Sequence, residues 1–161
     1  MSVASLADYK TPRPWLILAA FLIVVVAVGG LIGTQSLPGP WYESLNKPAF
    51  NPPNWVFGPA WLTLYVLIAI AGWRIFMIDP RSTAMKVWYA QMVLNWAWSP
   101  VWFIAHQIWP AYAIIMALWL VIIAFMLIAR RLDKPASWLF APYLLWVTFA
   151  SMLNLSIGLL N

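Results

Sequence analysis

Cysteine is absent from the chain, histidine occurs once and acidic residues number only four. Without cysteine there are no disulfides, no thiolate metal sites and no covalent haem attachment through a Cys-x-x-Cys-His motif. The sole histidine, His106, closes an apolar stretch with no second ligand in view. An interfacial polar role is therefore the stronger reading over axial ligation of a haem iron, because metal-binding histidines come with partners. Charge is scarce altogether: 8% of residues are charged against 65% hydrophobic, and mean hydropathy is +0.83. In water such a chain would leave large apolar patches exposed, so the composition marks an integral membrane protein.

Five apolar stretches stand out, at about 15–33, 59–78, 86–105, 109–129 and 137–159. Each approaches the ~20 residues needed to cross ~30 Å of hydrocarbon at 1.5 Å per residue. The expected fold is an all-α bundle of five transmembrane helices in a single domain over 1–161, with a long structured loop between the first two. The first stretch follows Lys10 and Arg13 as a signal sequence would, but it runs into Gly29, Gly30 and Gly33 without an Ala-x-Ala-like cleavage site. It reads as a retained helix. No Asp, Glu or Lys lies in the middle of any span, which disfavours a proton relay, an ion-coupled carrier or a retinal-type Schiff base. Arg74 lies near enough to a helix end to reach the headgroups by snorkelling.

The basic residues give an orientation. Lys10 and Arg13 precede the first helix, Arg74, Arg81 and Lys86 flank the second connection, and Arg130, Arg131 and Lys134 flank the fourth. With five spans these eight of nine share one side, and only Lys47 lies opposite. The expectation is an N-terminus in the cytoplasm and a C-terminus outside. The net charge of +5 then reflects topology and anionic lipid rather than nucleic acid, for which no aromatic-interleaved basic cluster is present.

Against these absences, aromatics abound. Thirteen residues are Trp, three of them in the block WYESLNKPAFNPPNWVFGPAWLTLY from Trp41 to Tyr65. Such a cluster holds a planar hydrophobic ligand or forms an interfacial belt, and aromatic content alone favours the belt. Spacing adds to this. Gln91, Asn95, Trp98 and Trp102 fall at i, i+4, i+7 and i+11, with Ser99 extending their face. Trp146, Ala150 and Asn154 repeat the pattern beside Tyr143 and Phe149, and Trp61 and Tyr65 stand at i, i+4. Any one of these faces reads best as interhelical glue; three together favour a shared pocket. Gly29 and Gly33 form a G-x-x-x-G suited to close helix approach or a dimer contact. Pro100 and Pro142 are expected to bend their helices, and Pro38, Pro40, Pro48, Pro52 and Pro53 stiffen a loop able to lie over the bundle as a lid.

The Trp41–Tyr65 block, then LNWAWSPVWF from Leu94 to Phe103 and APYLLWVTFASMLN from Ala141 to Asn154, resembles the tryptophan-rich sensory protein/translocator protein family, TspO/MBR. The resemblance implies a five-helix bundle, usually a homodimer, that binds porphyrins such as protoporphyrin IX beneath the first loop, and sterols and drug-like molecules in animal relatives. Its pocket maps onto Trp41, Tyr42, Pro48, Pro53, Trp61, Tyr65, Gln91, Asn95, Trp98, Tyr143, Trp146, Ala150 and Leu153, with Trp61 and Trp146 as candidate photochemical residues. No metal and no resident cofactor is required; porphyrin is the expected ligand and membrane lipid the surroundings. The sterol-linked Tyr and basic residue of animal members are missing from LNLSIGLLN at the end of the chain. A bacterial envelope is the expected location. Three functions follow in order: a porphyrin receptor regulating tetrapyrrole or stress responses, a light-dependent porphyrin-degrading enzyme, and a passive translocator. No acid–base pair or activated nucleophile supports dark catalysis.

Overall fold

A computed structural model describes residues 12–161, so Lys10 lies outside the described residues. The described chain is helical with no strand. The helices are α1 (Pro12–Gln35), α2 (Pro40–Ser44), α3 (Phe57–Ile78), α4 (Thr83–Ser99), α5 (Ile108–Ala129), α6 (Lys134–Leu139) and α7 (Ala141–Leu160).

Among the described residues four segments are long and apolar enough to cross a membrane: Pro14–Gln35, Asn54–Ile78, Ile108–Ala129 and Lys134–Leu160. The third expected stretch, 86–105, is built differently. Its α-helix has 17 residues and gives way to a π-helical turn, Pro100–Ile104. Pro100 has no N–H to donate, so the α ladder breaks there. It resumes with a wider ring, Ala105 N–H donating to the Pro100 carbonyl at 2.9 Å. The last stretch divides at Phe140 into α6 and α7, with Pro142 in the first turn of α7, where its missing donor costs no hydrogen bond.

The core follows helical periodicity. On α5 the buried residues Ala111, Ile115, Leu118, Ile122, Phe125 and Ala129 recur at three- and four-residue steps, one stripe facing α4 and α7. Phe125 meets Phe140 with ring centroids 4.1 Å apart, and Trp119 donates to Thr148 Oγ1 at 2.8 Å, tying α5 to α7. Gly72 lets α3 receive the Trp88 indole of α4, whose N–H donates to the Ile68 carbonyl at 3.0 Å. Helix α1 packs mainly on α3.

Two ends are distinguished by their contacts. At one, Trp73 of α3 donates to the Pro14 carbonyl of α1, and Arg74 forms a bidentate pair with Asp133. Asp133 also caps α6 by accepting from Ala136 N–H at 3.1 Å. Arg74 therefore spends its charge on the α5–α6 connection, where snorkelling to headgroups was the expectation. At the other end Asn46 and Asn161 exchange hydrogen bonds at 2.9 and 3.0 Å, which ties the first loop to the last residue of the chain. Exposed tryptophans occur at both ends, Trp15 and Trp138 at the first, Trp55 and Trp109 at the second, as in an interfacial belt.

Candidate functional site

The loop from Ser36 to Val56 makes a folded cover. Tyr42, 2% exposed, donates to Asn51 Oδ1 at 2.8 Å, and Lys47 Nζ caps the carbonyls of Glu43 and Leu45 while lying 5.0 Å from the Tyr42 ring centre. Burial pushes the Tyr42 phenol above its usual value of 10. Trp41 lies flat on His106, with centroids 4.3 Å apart and planes 17° from parallel, and edge-on to Trp102. His106 adopts φ 56°, the left-handed turn that ends α4 and its π-helical extension. That turn aims the imidazole back at the cover, which gives the sole histidine an interfacial stacking role.

Beneath the cover, between α1, α3 and the end of α4, lies a cavity of about 320 Å³, within the size range of small-molecule sites. Helix α1 contributes Val26, Gly29, Gly30, Gly33 and Thr34; α3 contributes Phe57, Gly58, Trp61, Leu62 and Tyr65; the α4 segment contributes Trp98, Ser99 and Phe103. Ser36, Leu37, Pro38 and Asn54 roof it. Among the described residues no charged side chain lines it. A second crevice, about 10 Å³, is lined by Tyr42, Trp102, Ala150, Leu153, Asn154 and Ile157. Phe57, Trp98 and Phe103 border both spaces and form the partition between them.

Behind Tyr65 the amides and phenols form one buried chain. The Tyr65 hydroxyl donates to Asn95 Oδ1 at 3.2 Å, Asn95 Nδ2 donates to the Tyr143 hydroxyl at 2.7 Å, and that hydroxyl donates to Gln91 Oε1 at 3.1 Å. Trp98 Nε1 lies 3.4 Å from Asn154 Oδ1, and Asn154 Nδ2 donates to the Ile108 carbonyl. The chain satisfies groups that hydrocarbon cannot. Among the described residues four buried polar atoms have no partner: Ser36 Oγ, Gln91 Nε2, Trp96 Nε1 and Trp146 Nε1.

The residues singled out from sequence thus sort by place. Trp61, Tyr65 and Trp98 line the main cavity; Tyr42, Trp98, Ala150 and Leu153 line the crevice. Gln91, Asn95 and Tyr143 stand behind the cavity wall in the hydrogen-bonded chain. Trp146 packs edge-on to Trp61 at 6.4 Å and to Phe57 at 6.0 Å without reaching either space. Trp41 holds the cover, while Pro48 and Pro53 shape it and line neither space. The glycine face of α1, Ser36 and Asn54 were not singled out as cavity residues. The G-x-x-x-G was the available signal for the first, and nothing local distinguishes Ser36. Among the described residues no group of three or more His, Asp or Glu is placed to hold a metal.

An apolar helical bundle with membrane-length segments and an aromatic, uncharged cavity under a folded loop defines a ligand-binding class of integral membrane protein. The chain belongs to the TspO/MBR family, whose model matches residues 17–160. It is 39% identical over 145 residues to the tryptophan-rich sensory protein of Cereibacter sphaeroides, covering 89% of this chain and 92% of that one. It is 39% identical over 150 residues to the tryptophan-rich protein TspO of Archaeoglobus fulgidus, covering 89% and 96%. To the translocator protein of Ovis aries it is 34% identical over 149 residues, covering 88% of each.

Proposed function

We propose that this protein is a membrane receptor that binds a porphyrin, protoporphyrin IX, and signals occupancy through its covering loop. The observation that carries the reading is the cavity itself: Trp61, Tyr65 and Trp98 present aromatic surface in an uncharged space directly under a folded cover. A flat macrocycle stacks on such rings, and burial supplies roughly 25 cal/mol per Å² of apolar area before the costs of association. The partition of Phe57, Trp98 and Phe103 opens toward Ala150 and Leu153 to accept the full ring. The receptor is one domain with five crossings, α4 and its π-helical turn forming the third. Its N-terminus faces the cytoplasm of a bacterial envelope and its C-terminus lies outside. It works as a homodimer.

The test is quenching of tryptophan fluorescence by protoporphyrin IX in the dark, with Trp61→Phe and Trp146→Phe alongside. Saturable quenching weakened most by Trp61→Phe is expected; its absence in the unaltered protein rejects a porphyrin site. The edge-on contact of Trp61 with Trp146 favours a second reading, light-dependent porphyrin degradation in which excited porphyrin, or the oxygen species it generates, attacks an indole of the pair or is quenched by it. Repeating the titration under illumination separates the two. A defined product with more than one turnover per protein supports the enzyme, and bleaching equal to free porphyrin in detergent rejects it.

A further inference from the structure

The α1–α3 wall of the cavity is closed at one level and open at the next. At Gly29 a Cβ would fall 2.3 Å from the Tyr65 ring, so ring and backbone seal the wall there. Deeper along the same pair, Phe21 packs on Phe76 at 5.5 Å. From the next residue toward the cover the contact ends. Gly30, Gly33 and Gly58 all line the cavity, all are exposed, and a Cβ at any of them would meet nothing within 4 Å. The exposed neighbours Leu31, Leu37 and Leu62 are apolar, so this gap faces hydrocarbon rather than water. Inside it waits Ser36, 6% exposed, with its Oγ buried in the cavity roof and without a hydrogen-bond partner. A hydroxyl buried in that state costs free energy until a ligand's polar group bonds it.

We infer that the cavity exchanges its ligand sideways with the bilayer, through a slot between α1 and α3 framed by Gly30, Gly33 and Gly58, and that Ser36 Oγ receives the ligand's polar edge. The inference rests on the receptor reading and narrows its ligand class to flat amphiphiles already dissolved in the membrane. Three glycines in one frame leave a gap without side chains, shaped for a flat molecule edge-on. The cover, tied at Asn46–Asn161 and stacked at Trp41–His106, stays in place during exchange.

The chain's lack of cysteine allows a test that needs no ligand. The Ser36→Cys variant in lipid nanodiscs, with both faces open to water, is treated with pyrene maleimide, which partitions into the bilayer, or with a sulfonated maleimide, which does not. Asn46→Cys on the exposed cover serves as the control for reagent activity and folding. The expected result is labelling of the Ser36→Cys thiol by the pyrene reagent alone, slowed tenfold or more by Gly30→Leu with Gly33→Leu, and to a graded extent by the smaller Gly33→Ala. The Asn46→Cys rate should not change. Labelling of the Ser36→Cys variant by the sulfonated reagent, at a rate indifferent to the glycine substitutions, places access at the cover and overturns the inference, as does labelling by neither reagent. Because porphyrin is absent from this assay, a failed slot and a failed porphyrin site give separate results.

Discussion

Gly29 of α1 and the ring of Tyr65 on α3 occupy one space: a Cβ built on the glycine would lie 2.3 Å from Tyr65 Cε2 and 2.5 Å from Cζ. Gly33, the other half of the G-x-x-x-G, has nothing within 4 Å and borders the cavity. The two glycines of one motif therefore have different roles. Gly29 permits close approach of helices within the chain, and Gly33 keeps a space empty.

Gly29→Ala should lower stability by about 1–3 kcal/mol, the usual cost of overpacking, because Tyr65 must move and strain its bond to Asn95. Gly33→Ala should leave stability unchanged or raise it by up to about 1 kcal/mol through helix propensity. Unfolding in mixed micelles of increasing SDS fraction measures both. Equal losses at the two positions would mean that α1 sits differently on α3.

Asn95 links two phenols, so its removal leaves the Tyr65 hydroxyl without a partner and the Tyr143 hydroxyl with only its bond to Gln91. Asn95→Leu should cost about 1–3 kcal/mol, more than Tyr65→Phe, which removes one link worth about 0.6 kcal/mol in a membrane interior. The order of the two in the same micelle titration is the check. A larger loss for Tyr65→Phe would show that the phenol's main partner lies elsewhere.

Arg74 and Asp133 meet with two hydrogen bonds, the longer 2.9 Å, and their side chains are 29% and 12% exposed. A double-mutant cycle with Arg74→Met and Asp133→Asn should give a coupling of about 1–2 kcal/mol, since hydrogen bonds to charged groups in partly buried sites exceed those of free surface pairs. Coupling near zero would place the guanidinium in the headgroup region instead.

The Tyr42 phenol is held above its ordinary value of 10 by burial. A group whose folded pKa is raised gives its full stabilisation below the unfolded pKa and loses it as pH climbs toward the folded one. The cover should therefore hold unchanged below about pH 9 and weaken above about pH 10. The difference in melting temperature between the protein and Tyr42→Phe, followed across that range, isolates this residue from the other tyrosines. A difference that stays constant with pH would mean Tyr42 is solvated.

Features that depend on local composition were legible in the chain. Apolar runs near membrane length placed the long helices, because hydrocarbon requires every backbone group to be satisfied within its own segment. Helical spacing placed Gln91, Asn95, Trp98 and Trp102 on one face, and all four are buried. The motifs around Trp41, Asn95 and Trp146 identified the family. Which side chains share a space was set by the packing of the helices in three dimensions. Helical spacing cannot tell a residue that faces a cavity from one that faces a neighbouring helix, so Tyr65 and Asn95 looked alike although one lines the cavity and the other stands behind it. The empty volume at Gly30, Gly33 and Gly58 was hidden for the same reason. Whether an absent side chain leaves a gap or admits a partner ring depends on what the opposite helix brings to that level.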